Sequence, residues 1–372
     1  MNKFKTITSL MVMVLFTLIL AHTPAFSHIS VEVEKTYIKP VPSYSVEDIK
    51  DRLDNLSSVI DIEYTHEVGR RIREYTVDYR VSGEKILGKV DLFFPIFDQE
   101  IARRGLPEEL KFVAVVESHL NPRALSKSGA SGLWQFMKST ARMQGLVINE
   151  IIDERRDPVK STAAALDYLE FLHESFGDWT LAIAAYNCGP GNVRKAIRRG
   201  NSKDYWTIRK HMPRETQKYV PRVIAAMYLM QYYHEHNLEP KAIHEDLKFT
   251  IEINDGQHHN FKTLAKSIDV EYELLRSLNP QYKQSYFPKN SGRLILSIPV
   301  SAHESYMKKY NPVTYKKYLE KQELELAEIE AARKEEELLK YKREKIDPIE
   351  RIEGLVIRNL YSFEEQVINI SL

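Results

Sequence analysis

The chain has 372 residues, of which 43% are hydrophobic and 28% charged, enough apolar material for a globular core and too much for wholesale disorder. Lysine and arginine number 53 against 52 aspartates and glutamates, and the formal charge of +1 gives no electrostatic footprint for nucleic acid. Cys188 is the single cysteine, which excludes an intrachain disulfide.

Residues 1–27 read as an export signal. Lys3 and Lys5 precede the apolar run "LMVMVLFTLILA", and "AFS" at Ala25 to Ser27 offers small residues for cleavage after Ser27. A single transmembrane anchor is the other reading, but the run is shorter than the ~20 residues a span needs. No cysteine stands at the end of the signal to carry a lipid anchor. The expected location is therefore a periplasm or the cell envelope.

From 45 to 236 the periodicity is helical. Ser45, with Asp48 three residues on, forms the aspartate version of a capping box. In "KFVAVVESHLNP", Leu110, Val113, Ala114 and Glu117 stand at i, i+3, i+4 and i+7, so a carboxylate lies in line with an apolar stripe. Pro122 pushes Asn121 out of the α region, and the helix must end close to Glu117. An apolar surround and the electronegative end of a helix both disfavour the charged form and raise its pKa. That makes a general acid for an acid-labile bond such as a glycoside. The same residues also fit a glutamate that snorkels out at a helix end, or one neutralised by an arginine such as Arg123.

Further along, "SKSGASGLWQFMKSTA" sets Gly129 and Gly132 before an expected aromatic-rich helix start, where backbone can approach a ligand closely. In "DERRDP", Asp157 is placed to cap a long helix with Pro158 at its first position and Gly177 just past its end. Asp178 can cap the next helix, "WTLAIAAYN", which is apolar almost all round and should be the buried centre of the domain. It ends with Tyr186 and Asn187 before "CGPG". Tyr219 stands at the mouth of another apolar helix in "ETQKYVPRV".

After "HEHNLEP" the rhythm changes. Leu247, Phe249, Ile251 and Ile253 alternate with polar residues as in a half-buried strand. Two short helical stretches follow, "FKTLAKSI" and "EYELLRSLNP", and then a second strand with Leu294, Leu296 and Ile298 on one face. This is a β-α-α-β module over 245–301. The tail, 313–372, is rich in alanine, glutamate, leucine and lysine and reads as a solvated helix laced with i,i+4 pairs, since sustained a/d heptads are missing. The histidines are scattered, "HHN" lacks metalloprotease spacing, and "GPGN" lacks a following lysine or serine in phosphate-loop spacing. No cofactor or metal is expected.

Taken in order, "ESHLNPRALSKSGASGLWQF", "AYNCGPGN" and "ETQKYVPRV" resemble the lytic transglycosylases of the soluble-lytic-transglycosylase, goose-lysozyme-like superfamily. The framing segments "GLPEELKFVAVVES" and "DERRDPVKSTAAALDYLEFL" are similar to its membrane-bound murein transglycosylase D branch. The resemblance implies a mainly α chain, with a lysozyme-like helical catalytic domain over 45–236. It makes Glu117 the catalytic glutamate and Ser118 the serine beside it. Gln135 would line a sugar groove, Tyr186 and Asn187 would meet the substrate, and Tyr219 would lie close to the acid. The implied partner is the glycan strand of peptidoglycan. Glu117 would protonate the oxygen between N-acetylmuramic acid and N-acetylglucosamine. It would then take the proton of the muramoyl 6-hydroxyl, which closes a 1,6-anhydro ring without consuming water.

A hydrolytic muramidase is the rival reading, and it would recruit a second carboxylate from Asp153, Glu154 or Asp157. A non-catalytic scaffold is a third, joining the wall to a cell-wall or membrane-associated protein through the charged tail. The β-α-α-β module resembles LysM, a peptidoglycan-binding module. Here "DGQHHNF" replaces its usual glycine-aspartate-threonine turn.

Overall fold

The computed structural model describes residues 40–344 apart from 290, 291 and 293. The expected export signal, residues 1–27, and the end of the tail lie outside the described residues. Helix α1, Val46–Asp54, opens as its sequence dictates. The Ser45 hydroxyl accepts from the Asp48 backbone N–H while the Asp48 carboxylate accepts from that of Ser45. Helix α2, His66–Arg73, runs into a π turn at Glu74–Asp78, and α3, Arg80–Leu87, and α4, Val90–Arg104, follow. Helix α5, Lys111–Ser118, is short, because His119 and Leu120 take left-handed backbone angles (φ 52° and 54°) directly after it. Helix α6 is Lys138–Met143.

Helix α7, Pro158–Phe176, carries the cap read from the sequence. The Asp157 carboxylate accepts from the N–H groups of Val159 and Lys160 at 3.0 Å each, and Gly177 (φ 72°) ends the helix. Helix α8, Trp179–Cys188, is capped by Asp178 and buries every residue from Thr180 to Ala185. It is followed by α9, Pro190–Gly200, the single turn α10, Tyr205–Ile208, and α11, Thr216–Tyr232. As the apolar periodicity requires, α8 is central: α7, α9 and α11 all pack on it, and α11 also packs on α2 and α5. One hydrophobic core runs through these helices from Leu53 to Tyr228.

Helix α11 contains Pro221 in its interior, which removes the N–H that would bond the carbonyl of Gln217. The fully buried Tyr205 meets that gap, its hydroxyl donating to the carbonyls of Thr216 at 3.1 Å and Gln217 at 3.4 Å. The first turn of α11 is thereby held in place from α10, and two residues of that turn reach the candidate site.

The small module has the predicted β-α-α-β order. Strand β1, Thr250–Ile253, comes first, then the two-residue β2, His259–Asn260, and helices α12, Phe261–Ser267, and α13, Tyr272–Leu278. Strands β3, Tyr286–Phe287, and β4, Leu296–Pro299, complete it. β1 and β4 pair antiparallel with Ile251 opposite Ile298 and Ile253 opposite Leu296, and β2 pairs with β3. The first strand is shorter than its alternation predicts: Leu247 lies in a 3-10 turn and Phe249 is 62% exposed. The partner strand ends at Pro299 and the chain turns into a 3-10 turn at Val300, whose N–H still donates to the Phe249 carbonyl at 2.9 Å, so the ladder stops there and does not reach Leu247. The β2–β3 pair was not expected, because two-residue strands leave no alternation to read.

Helix α14, His303–Tyr310, leads into α15, Pro312–Glu344. The pairs Lys321–Glu325, Glu330–Lys334 and Arg333–Glu337 sit at i,i+4 on its exposed surface, as a solvated helix should show.

Candidate active site

Glu117 lies on the last turn of α5, half-buried, with its Oε1 accepting from the Tyr219 hydroxyl at 2.6 Å. Tyr219, 2% exposed, stands one turn into α11. Burial pushes the Glu117 carboxyl up to about 7, against the opposing pull of the Tyr219 hydrogen bond and the Arg222 charge. Burial likewise holds the Tyr219 phenol well above its ordinary 10, so it remains a neutral donor. Both alternatives left open by the sequence fall away. The carboxylate does not snorkel free, Arg123 faces Glu273, 3.6 Å away, instead, and the Arg222 charge acts on Glu117 without outweighing its burial.

The same face of α11 orients a second group. Thr216, three residues before Tyr219, donates its hydroxyl to Asn187 Oδ1 at 2.8 Å. The Asn187 side-chain NH2 is left without a protein acceptor among the described residues. Tyr186, beside it at the end of α8, donates to the carbonyl of Trp134 at 2.7 Å and packs against Phe136 and Tyr168. Trp134 is fully buried and donates its indole N–H to Thr162 on α7 at 2.9 Å. A buried aromatic thus ties the helices to the loop that precedes α6.

That loop is not the helix start expected from its aromatic residues. Residues 131–136 form a tight turn in which Ser131 bridges to Phe136, and α6 begins only at Lys138. Positive φ at Gly129 (86°), Gly132 (89°) and Gln135 (49°) rules out helix there. Gln135 faces the cleft, and its side-chain N–H groups donate to the carbonyls of Gly132 at 2.9 Å and Ala124 at 3.3 Å. Ser118 is not brought to the cleft. Its hydroxyl donates to the Ala114 carbonyl at 3.1 Å and accepts from the Asn121 N–H at 3.2 Å, which finishes the end of α5.

The cleft encloses about 400 Å³, lined by Glu117, Ser126, Gln135, Tyr168, Tyr186 and Asn187 among others. A second hollow of about 370 Å³ includes Val116 and His119 with Arg71, Tyr75 and Arg222. Glu117 is the one carboxylate among the residues lining the cleft. The three acids of "DERRDP" are engaged elsewhere: Asp153 with Arg155 at 2.7 Å, Glu154 with the Val147 N–H at 2.7 Å and with Lys160, and Asp157 at the α7 cap. Among the described residues no three His, Cys, Asp or Glu side chains gather as a metal site would require.

Sequence reasoning missed Thr216 and Arg222. The i,i+3 spacing of Thr216 and Tyr219 was the available signal, legible only once Tyr219 is known to face the site. Tyr219→Phe deletes the hydrogen bond that opposes burial, so the Glu117 carboxyl should titrate above 7. A bond to a charged group is worth about 1.5–3 kcal/mol, which sets the size of the rise. Carboxyl NMR titration measures it, and an unchanged midpoint would show that this bond does not tune the acid.

Residues 94–209 match the family model described as "Transglycosylase SLT domain", and residues 250–315 match "Lytic transglycosylase MltD, LysM-like domain". The chain carries an SLT-type domain followed by a LysM-like one. The first match contains Glu117, Gln135, Tyr186 and Asn187, and Tyr219 lies beyond it. Membrane-bound lytic murein transglycosylase D of Escherichia coli (strain K12) is 44% identical over 131 residues, 34% of this chain and 28% of that protein. Membrane-bound lytic murein transglycosylase F of Maricaulis maris (strain MCS10) is 37% identical over 122 residues, 29% of this chain and 25% of that protein. The crystal structure of the 70 kDa soluble lytic transglycosylase from Escherichia coli aligns at 25% identity with a TM-score of 0.33, over 40% of this chain and 26% of that one. The chain therefore spans less than a third of the length of these two curated relatives.

Proposed function

We propose that the chain is an exported peptidoglycan lytic transglycosylase that cleaves the β-1,4 bond between N-acetylmuramic acid and N-acetylglucosamine without water. The observation that carries this reading is a cleft with a single lining carboxylate whose pKa is raised to about 7. At neutral pH a large share of Glu117 is protonated and poised to give its proton to the glycosidic oxygen. The carboxylate left behind accepts the Tyr219 hydrogen bond, which favours the charged form. It then takes the proton from the muramoyl 6-hydroxyl as that oxygen attacks the anomeric carbon. The proton returns to Glu117, one C–O bond has broken, and one has formed.

Asn187, with its carbonyl oxygen fixed by Thr216, offers its N–H groups to the sugar's N-acetyl group, and Tyr186 and Gln135 supply the groove. Hydrolysis with two carboxylates places them roughly 5–10 Å apart, and the acids of "DERRDP" are committed to Arg155, Lys160 and a helix cap. Export rests on the reading of residues 1–27 and on a substrate that lies outside the cytoplasmic membrane. No helix among the described residues is long and apolar enough to cross a membrane.

Mass spectrometry of the soluble fragments released from purified peptidoglycan tests the proposal. Fragments lighter by the mass of a water and lacking reducing ends are expected. Reducing ends would make the protein a muramidase, and binding to insoluble peptidoglycan without any release would make it a scaffold.

A further inference from the structure

The LysM-like module touches the helical domain through an antiparallel bridge between Ile152 and Tyr282. The Asp153 N–H donates to the Gln281 carbonyl at 2.8 Å, and the Lys283 N–H to that of Ile151 at 2.8 Å. Lys283 and Gln284 add side-chain bonds to the carbonyls of Asn149 at 2.8 Å and Glu150 at 3.2 Å. Ile152 belongs to the sequence of the helical domain yet is 5% exposed within the module's own core, beside Phe261, Leu275 and Tyr282. The loop 149–153 is therefore shared between the two parts.

The next residues lead from that loop to the cleft. The Asp153 carboxylate accepts from Arg155 Nε at 2.8 Å and Nη2 at 2.7 Å, a fork-on-fork pair with 4% and 2% exposure. The remaining guanidinium nitrogen, Nη1, donates to the carbonyls of Gly129 at 2.7 Å and Phe136 at 2.9 Å. Those carbonyls bracket the turn whose residues Ala130, Gln135 and Phe136 line the cleft. The approach is close enough that a Cβ on Gly132 would stand 1.7 Å from the Arg155 carbonyl. Asp153 is thus fixed through its backbone by the module and through its side chain to the residue that pins the cleft wall.

We infer that the LysM-like module buttresses the substrate cleft, and that Asp153 and Arg155 are positioning residues that carry its docking to the wall around Gln135. The inference rests on the reading of that cleft as the glycan site. It gives "DERRDP" a role that general-base chemistry does not supply. It also explains why the module can matter to turnover whether or not it holds glycan itself.

The test compares the full chain with Ile152→Ala, which weakens docking, and Arg155→Lys, which keeps the buried charge but loses the planar fork. Hydrogen–deuterium exchange over 126–137 should quicken about tenfold or more in both, with α8 unchanged. KM for glycan strands should rise roughly fivefold or more while kcat stays within about threefold. The combined variant should be little worse than the worse single one, because both cut one line of contact. Wild-type exchange over 126–137 in Ile152→Ala, with exchange in α12 and α13 quickened, would overturn the inference. If Ile152→Ala does not fold, Lys283→Ala with Gln284→Ala removes the docking side chains from the surface and is judged by the same exchange criterion. A wild-type chain that releases no fragments would end the transglycosylase proposal, and the exchange experiment would still decide this one.

Discussion

Glu117→Gln should abolish fragment release, lowering kcat by about 10²–10⁴-fold, and should at the same time make the protein more stable above neutral pH. The two effects have one cause. The amide keeps the size of the carboxyl and can still accept the Tyr219 hydrogen bond, but it has no proton to give to a leaving oxygen. In the folded protein the carboxyl is raised from 4.5 to about 7, so the fold favours the protonated form. Below about pH 4.5 both folded and unfolded chains are protonated there, and the group neither adds nor removes stability. Between the two values the unfolded chain releases its proton first, and stability falls as pH rises. Above 7 the penalty is complete, with a ceiling of about 3 kcal/mol at ~1.4 kcal/mol per pH unit. The neutral amide avoids it, so urea midpoints should favour the variant by about 1–3 kcal/mol at pH 8 and by nothing near pH 4. A variant that still releases fragments would remove Glu117 from the chemistry. One that is inactive but shows no pH-dependent gain would leave it catalytic without being held protonated by its surroundings.

What could be read in advance was what local physics decides. The caps at Ser45, Asp157 and Asp178, with the stop at Gly177, depend on residues within a turn of one another, and each sits where the sequence puts it. Glu117 was legible because period and break coincide: an apolar stripe at helical spacing and a proline that ends it. The turn at 131–136 was misread because aromatic residues signal burial without saying in which secondary structure. The backbone angles that forbid a helix belong to Gly129, Gly132 and Gln135, and Gln135 gives no warning. The resemblance names Ser118 as the serine beside Glu117; successive residues on a helix face different ways, and its hydroxyl closes the end of α5, which the sequence alone does not reveal. Thr216 and the hold of Arg155 on the cleft loop were invisible because Asn187, Gly129 and Phe136 are distant from them in sequence. Their roles follow from packing α11 on α8 and the 149–156 segment on the cleft loop.

Arg155→Met should be among the most damaging single changes, costing about 3–5 kcal/mol of an unfolding free energy that in ordinary domains is only about 5–15 kcal/mol. The lost attraction is the smaller part of the damage. Burial alone would raise the Asp153 carboxyl, and the hydrogen bonds and charge of Arg155 overcome it and hold that carboxyl below its usual range. Without the guanidinium, the almost wholly buried carboxylate loses its paired cation and keeps only the Arg155 backbone N–H and the more weakly felt Arg156 charge, and the Gly129 carbonyl loses its charged donor. Burial, the largest influence on this carboxyl and now opposed only by those weaker ones, then drives the Asp153 pKa up. The deficit of the variant should therefore be largest near neutral pH and shrink as pH falls and the carboxyl takes up a proton. Adding Asp153→Asn to Arg155→Met removes the stranded charge, so the double variant should be more stable at pH 7 than Arg155→Met alone. Urea unfolding of the three variants at pH 7 and pH 5 measures both effects. If the double variant is instead the sum of the singles at both pH values, the pair acts through packing volume, and the charge on Asp153 has no part in fixing the cleft wall.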